Sequence, residues 1–212
     1  MTKRIAFLLL ALLLPLAANA AQPPDSRPLV AGIDYVEIPD GTPYQPLKGK
    51  IEVVEVFAYW CHHCADFQPK VDAWKAKLPA NVRFTYVPAA FDSNDPFARA
   101  YFAADMAGAL NKTHHALFNA IHVEETLPRN ASIDQIAAFY GKLGLDAAKM
   151  KASMQGFVVG AKLVKAKDFA IRSGLEGTPT LIINGKYRVT GRNYDEQLRV
   201  ASQLIAMLRG KR

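Results

Sequence analysis

Two cysteines stand three positions apart in this 212-residue chain, in the tetrapeptide Cys61-His62-His63-Cys64. The segment before them, residues 51–59, is mainly apolar and predicts a buried central strand. The segment after them has helical period, because its apolar residues fall on one stripe: Cys64, Phe67, Val71, Trp74 and Leu78. A C-x-x-C between a core strand and a helix is typical of a dithiol–disulfide redox site. The pair therefore favours an α/β fold with redox chemistry at one end of the central strand.

The remaining elements extend this unit in both directions. A second apolar run, residues 82–87, completes a strand–helix–strand unit. Helical patterns then dominate residues 93–165, where Asp95-Pro96 and the capping box beginning at Ser132 mark helix starts. Asn184-Gly185 predicts a hairpin turn before a last amphipathic helix. We predict a small α/β domain whose sheet is interrupted in sequence by a helical insertion.

The N-terminus predicts export. Lys3 and Arg4 precede an apolar stretch, residues 5–14, and Ala18-Asn19-Ala20 supplies small residues for cleavage. This is the pattern of a signal peptide, with residues 1–20 removed after Ala20. An uncleaved anchor is the alternative, but a membrane span needs about 20 apolar residues. The mature protein is expected in an exported, oxidising compartment, where disulfides persist.

The charge of the chain does not indicate a nucleic-acid partner. The formal net charge is +7 at pH 7, but the basic residues are spread along the sequence without interleaved aromatic residues. We therefore expect no nucleic-acid binding and interpret the charge as a solvated basic surface.

The two cysteines have different expected roles. Cys61 opens the helix, where free N–H groups and the positive end of the helix dipole stabilise a thiolate, so it is expected to be the exposed nucleophile. Cys64 lies one turn later on the buried stripe and is expected to be the resolving thiol. The alternative is a purely structural disulfide, but a bridge that closes so short a loop stabilises a protein weakly.

Together these motifs resemble the DsbA family of periplasmic thiol:disulfide oxidoreductases, members of the thioredoxin superfamily. The resemblance rests on the Cys61–Cys64 tetrapeptide, on Glu55 within the central strand, on Thr178-Pro179 before the next strand and on the helical insertion. It implies a thioredoxin-like fold, α/β in class, formed by residues 28–92 and 166–212, with a helical domain inserted at residues 93–165.

The same resemblance implies the activity and the partners. The chain is expected to donate disulfide bonds to reduced, unfolded exported proteins in the periplasm. The redox-active disulfide Cys61–Cys64 is the expected redox group, with no other cofactor and no metal. A DsbB-like membrane quinone reductase is the expected electron acceptor, and the protein is expected to be a monomer. The alternatives are a disulfide isomerase or reductase of the same fold, and a redox-inactive peptide- or metal-binding module.

His62 and His63 lie between the cysteines. His63 matches a histidine that is common in the family, whereas His62 stands where proline is common. A histidinium near Cys61 would favour the thiolate further. The four residues are also potential zinc ligands, but four consecutive residues at a helix start cannot surround a metal tetrahedrally without unwinding the helix.

Glu55 is a carboxylate within a strand that is otherwise apolar, which is costly unless the group is solvated or useful. The resemblance implies a position beneath the cysteines, where Glu55 could accept or relay the Cys64 proton. The alternative is an edge-exposed glutamate, as we expect for Glu52. The lysine that often accompanies this glutamate on the next strand is replaced by Tyr86, so the charge pair is expected to be missing. His114, His115 and His122 are interpreted as ordinary surface or helix residues.

Thr178-Pro179 is the second motif of the site. The resemblance implies that this proline is cis, packs against the cysteines and leaves the Thr178 backbone available to an extended substrate peptide. The alternative is a proline that simply begins a strand.

Overall fold

The protein is described here by a computed structural model that covers residues 27–210, so the predicted signal peptide lies outside the described residues. The described residues form five strands and seven helices, in the order expected from the sequence. The strands are β1 (Tyr35–Glu37), β2 (Ile51–Phe57), β3 (Val82–Pro88), β4 (Thr180–Ile183) and β5 (Tyr187–Val189). The helices are α1 (His62–Lys75), α2 (Pro96–Met106), α3 (Leu110–His122), α4 (Ile133–Lys142), α5 (Ala147–Gln155), α6 (Phe157–Arg172) and α7 (Tyr194–Gly210).

The five strands form one sheet with the order β1-β5-β4-β2-β3. β2 and β3 run parallel and are joined by α1, whereas β4 pairs with β2 antiparallel and β5 continues the antiparallel half. Helices α2–α6 lie between β3 and β4 in the chain. This arrangement confirms the predicted α/β fold with a helical insertion. The predicted boundary at residues 165–166 falls within α6, which is continuous through that point.

Local sequence explains where several elements begin. The Asp95 side chain accepts hydrogen bonds from the backbone N–H groups of Phe97 and Ala98, so it caps α2. Ser132 and Gln135 form the predicted reciprocal capping box of α4. Asn184 and Gly185 both have a left-handed φ, of 51° and 65°, as the hairpin between β4 and β5 requires.

Two apolar clusters cover the two faces of the sheet. One cluster joins β2 and β4 to α1 and α7 through residues such as Phe67, Val71, Leu181 and Leu204. The other joins β2 to the helical insertion and includes both cysteines. The cysteine pair therefore lies where the sheet, α1 and the inserted helices meet. Within the described residues, no helix has the length and apolar character needed to cross a membrane.

The expectation about Glu52 is wrong. Glu52 is fully buried rather than exposed at an edge, because the Tyr44–Gln45 backbone and Arg83 enclose its carboxylate. His114 is a residue of helix α3, and it is buried with 5% of its surface exposed, because aromatic rings, including that of Phe57, surround its imidazole. In both cases the burial comes from chain segments that are distant in sequence.

Candidate active site

Cys61 is the N-cap residue of α1, and Cys64 lies in the first turn of that helix. A tight turn joins the end of β2 to Cys61. In this turn the Cys61 backbone N–H donates a hydrogen bond of 3.2 Å to the Ala58 carbonyl. Cys61 keeps 9% of its surface exposed and Cys64 keeps none. Both side chains are free thiols in the structure. The expectation that Cys61 is exposed is therefore wrong, because the surrounding chain buries it, but Cys61 remains the more accessible of the two cysteines.

The pKa values of the two thiols move in opposite directions. The pKa of Cys61 is lowered to about 5, chiefly by a hydrogen bond from the Cys64 thiol. Further hydrogen bonds, from the Thr178 side chain and from the backbone N–H groups of His63 and Cys64, outweigh the opposing effect of burial. Burial raises the pKa of Cys64 well above its ordinary value, and the bond that Cys64 makes to Cys61 raises it further. The site thus favours one thiolate beside one protonated thiol.

Thr178-Pro179 lies directly against this pair. The Thr178 carbonyl oxygen is 3.4 Å from Cys61 Sγ and accepts a hydrogen bond from the thiol when the thiol is protonated. The peptide bond between Thr178 and Pro179 is cis. The Thr180 hydroxyl donates to the Gly177 carbonyl over 2.8 Å and so closes the turn that leads into β4. The structure therefore brings together two motifs that lie more than a hundred residues apart in sequence.

The two histidines lie on the outer side of the helix start. Their ring centroids are 3.8 Å apart, and both residues are exposed. His63 Nδ1 is 3.2 Å from the hydroxyl of Tyr194, whose ring lies against Phe67 at a centroid distance of 5.2 Å. Tyr194 begins α7, and no sequence motif connects its hydroxyl with His63.

Glu55 lies in β2 and is fully buried. Within the described part of the chain, neither of its carboxylate oxygens has a hydrogen-bond partner. Burial raises the pKa of Glu55 to about 8, against the opposing effect of the Lys75 charge, while Asp72 adds to the increase. Glu55 also contributes to the raised pKa of Cys64, so the two groups are within electrostatic reach. At neutral pH the protein therefore contains a buried, mostly protonated carboxyl group within electrostatic reach of the Cys64 thiol.

A polar cluster on α1 and β3 lies beside Glu55. Tyr86 is the direct register partner of Glu55 on β3, as expected. Glu55 forms no ion pair within the described residues. Lys75 of α1 nevertheless lies near Tyr86, with its Nζ 3.0 Å from the Tyr86 hydroxyl, and its charge opposes the rise in the pKa of Glu55. Gln68 and Asp72 complete the cluster. Their spacing from Lys75 places all three on one face of α1, which is a helical pattern that could have indicated the cluster.

Within residues 27–210, no group of three or more His, Cys, Asp or Glu side chains is arranged to hold a metal ion.

Comparisons with known proteins agree with this site. A family model described as "DSBA-like thioredoxin domain" matches residues 93–203. The thiol:disulfide interchange protein DsbA of Pseudomonas aeruginosa is 34% identical over 203 residues, which cover 93% of this chain and 94% of that protein. DsbA of Burkholderia cepacia is also 34% identical, over 98% of this chain and 96% of its own length.

Solved structures show the same similarity. The crystal structure of oxidoreductase DsbA from Xylella fastidiosa has a TM-score of 0.83 and 44% identity, covering 86% of this chain and 98% of that one. The crystal structure of Pseudomonas aeruginosa DsbA has a TM-score of 0.79 and 34% identity, with 86% and 96% covered. The isomerase and the redox-inactive module are therefore not favoured. This chain belongs to the DsbA family and is a protein-disulfide oxidoreductase, a thiol:disulfide interchange protein that donates disulfide bonds.

Proposed function

We propose that Cys61 and Cys64 are the redox-active pair and that substrate thiolates attack the Sγ atom of Cys61. A substrate thiolate attacks Cys61 Sγ of the oxidised pair, so the Cys61–Cys64 bond breaks and its electron pair goes to Cys64. The second substrate thiolate then attacks the substrate sulfur of the mixed disulfide and releases Cys61 as a thiolate. The substrate leaves oxidised by two electrons, and the cysteine pair is left reduced.

The lowered pKa of Cys61 supports this direction of transfer. A thiol of low pKa leaves more readily, which favours the second step, in which Cys61 departs. The same hydrogen bonds stabilise the reduced form relative to the disulfide, which makes the disulfide a stronger oxidant. The observation that carries the proposal is the position of Cys61 at the N-cap of α1, against the Thr178 carbonyl, while Cys64 is fully buried one helical turn later.

Glu55 is the proposed proton donor for Cys64. In the first step Cys64 leaves as a thiolate in a site where burial strongly disfavours that charge. The Glu55 carboxyl group is within electrostatic reach of Cys64 and is mostly protonated at neutral pH, which supports its role as the source of the proton that the sulfur takes up. Solvent protons then restore the carboxyl group before the next cycle.

Thr178 and Pro179 are the proposed docking edge for the substrate backbone. An enzyme with many clients cannot depend on shape-specific pockets, whereas every peptide carries the same N–H and C=O groups. The proximity of the Thr178 carbonyl to Cys61 supports this role. Trp60, at the rim of the site with 36% of its surface exposed, offers an apolar contact beside this edge. His62 and His63 are proposed to contribute at the exposed side of the pair.

The proposed setting is the periplasm, and the proposed clients are reduced, unfolded exported proteins. The signal-peptide pattern of residues 1–20 and the DsbA relatives support this setting. Turnover needs an acceptor for the two electrons left on the cysteine pair, and we propose a DsbB-like, quinone-linked membrane protein for this role. We further propose that the protein acts as a monomer and that the cysteine pair is its sole redox group.

Alkylation of the reduced protein near neutral pH tests the assignment of the two cysteines. Limiting iodoacetamide, followed by peptide mass mapping, should label Cys61 well before Cys64. The matched control is the same protein unfolded in urea, in which both thiols should react at similar rates. Equal labelling in the folded protein, or faster labelling of Cys64, would reject Cys61 as the nucleophile.

A further inference from the structure

The turn that leads into Cys61 is anchored in the inserted helices. Residues 58–61 join β2 to α1 and are called the Cys61 turn below. Within this turn, the Tyr59 ring packs against Phe118 of α3 at a centroid distance of 5.0 Å. The Tyr59 hydroxyl lies 2.8 Å from Nδ1 of His114, also in α3. One side chain of the turn is therefore held by two residues of the insertion.

A hydrogen bond from His122 holds the backbone of the same turn. His122 is the last residue of α3, and its Nε2 is 2.6 Å from the Tyr59 carbonyl oxygen. A carbonyl oxygen only accepts hydrogen bonds, so Nε2 carries a proton and is the donor. No backbone N–H within residues 27–210 donates to this carbonyl. The orientation of the peptide between Tyr59 and Trp60 therefore depends on a side chain of the insertion.

The second nitrogen of the His122 ring makes no comparable contact. His122 Nδ1 is buried and has no hydrogen-bond partner within the described part of the chain. A buried polar atom without a partner destabilises the folded protein, and an apolar side chain of similar size would avoid that cost. The bond from Nε2 to the Cys61 turn is therefore the contact that accounts for an imidazole at this position.

A further hydrogen bond connects the turn with α2. Trp60 Nε1 donates to Asp95 Oδ2 over 3.1 Å, while Asp95 Oδ1 accepts from the Phe97 backbone N–H at the start of α2. Asp95 therefore caps a helix of the insertion and holds the turn at the same time. Because this bond is exposed and water competes for its atoms, we expect the part-buried bond from His122 to hold the turn more firmly.

Cys61 lies between this turn and the Thr178 loop. Its backbone N–H donates to the Ala58 carbonyl within the turn, and its Sγ is 3.4 Å from the Thr178 carbonyl oxygen. The turn thus fixes the cysteine from one side, and the sulfur meets the proposed docking edge on the other. A small shift of the turn would change the distance from Sγ to Thr178 and to the free N–H groups at the start of α1.

We infer that His122 is a positioning residue for disulfide transfer: through the Tyr59 carbonyl it holds the turn that places Cys61 Sγ beside Thr178, where a substrate thiolate attacks. This inference rests on the proposed function. His122 acts through the turn and exchanges neither protons nor electrons with the substrate. The helical insertion thereby takes part in the reaction, because α3 supplies the donor that fixes the geometry of the nucleophile.

Stopped-flow oxidation of a reduced two-cysteine peptide tests the inference. His122→Leu and His122→Met keep side chains of comparable size without the donor. Both should react about tenfold more slowly, because the sulfur is no longer held in the geometry of attack. His122→Gln keeps an N–H for the Tyr59 carbonyl and should react within about twofold of the native rate.

Thiolate absorbance of the reduced protein supplies a measurement that a loss of stability alone would not change. The midpoint for Cys61 should rise by about 0.5 pH unit in His122→Leu and His122→Met, because the N–H groups at the helix start are no longer aligned with the sulfur. His122→Gln should keep the native midpoint. Urea unfolding identifies the variants that are folded under the assay conditions.

The matched control is His115→Leu, since His115 lies on the same helix but is 54% exposed and contacts Asp72 of α1 instead. This variant should keep the native rate and midpoint. Failure of the native protein to oxidise the peptide would reject the proposed function. If the native protein oxidises the peptide, the role of His122 would be rejected by a native rate and midpoint in either folded variant without the donor. Equal impairment of His122→Gln or of His115→Leu would also reject it.

Discussion

Glu52 and Glu55 lie three residues apart in the same strand and are both fully buried, yet their surroundings differ completely. The Glu52 carboxylate accepts hydrogen bonds from the backbone N–H groups of Tyr44 and Gln45, at 2.7 and 3.0 Å. It also forms a 2.6 Å ion pair with Arg83. Glu55 has no such partner within the described residues, and burial raises its pKa to about 8.

The difference indicates that Glu52 stabilises the fold, whereas Glu55 fits a role in the reaction. Glu52 ties the loop before β2 to the edge strand β3, and its charge is fully compensated. Glu55 is not compensated in this way and so keeps its proton near neutral pH, which is consistent with its proposed role as the acid for Cys64. Burial does not distinguish the two side chains, whereas their hydrogen bonds do.

The largest expected effect is the loss of stability when Glu52 is replaced. Glu52→Ala leaves Arg83 and two backbone N–H groups without their partner, so the free energy of unfolding should fall by about 3–5 kcal/mol. Urea unfolding of the oxidised protein measures this change. Peptide oxidation by the folded variant should stay close to the native rate. A decrease in the free energy of unfolding of less than about 1 kcal/mol would show that Glu52 is not important for stability.

The next effect concerns the pH dependence of stability. The folded-state pKa of Glu55 is raised, so the unfolded chain binds fewer protons between pH 4.5 and 8, and stability falls as pH rises through this window. Glu55→Gln should remove up to about 1.4 kcal/mol per pH unit of this slope. Urea unfolding of both oxidised proteins at several pH values measures it. Parallel pH profiles would mean that Glu55 is not buried as a neutral acid.

The same substitution should slow the chemistry. Glu55→Gln cannot protonate the leaving Cys64 thiolate, so oxidation of a reduced peptide near pH 7 should be roughly tenfold slower, since water can replace a proton donor in part. Stopped-flow fluorescence of Trp60 and Trp74 follows the reaction. Glu52→Gln, which removes the charge of the other buried glutamate, is the matched control and should react at the native rate. If the two variants react equally fast, the distinction between the glutamates does not extend to catalysis.

The smallest effect is expected at an exposed contact of the site. Tyr194→Phe removes the hydroxyl that lies 3.2 Å from His63, and the free energy of unfolding should change by less than about 1 kcal/mol. The pKa of Cys61 should not move, because the hydrogen bonds that lower it come from Cys64, Thr178 and backbone N–H groups. Thiolate absorbance against pH is the measurement. A clear shift would show that His63 acts on Cys61 through its orientation.

Local patterns in the sequence predicted most of the fold. Apolar period and capping residues located the strands and helices, and the resemblance connected Thr178-Pro179 with the cysteines. The burial of single polar residues was harder to predict, because it depends on chain segments that are distant in sequence. Glu52 is buried by the Tyr44–Gln45 backbone, and His114 by rings from β2, β3 and α2.

The polar cluster around Glu55 shows the same limit. The replacement of the usual lysine by Tyr86 predicted that the charge pair of Glu55 is missing, but it did not predict that Lys75 of α1 lies 3.0 Å from the Tyr86 hydroxyl. The alignment of neighbouring strands predicts which residues of β2 and β3 are partners. It does not predict that a side chain from helix α1 reaches one of these partners.

Titration of the reduced protein tests the central claim most directly, namely that the fold makes one thiolate and one protonated thiol from the C-H-H-C motif. Thiolate absorbance near 240 nm should rise through a single transition with a midpoint at about pH 5, and Cys61→Ser should remove that transition. Cys64 should contribute no transition up to neutral pH, because burial raises its pKa. A midpoint near the ordinary value for a thiol, or an acidic transition that persists in Cys61→Ser, would contradict the account.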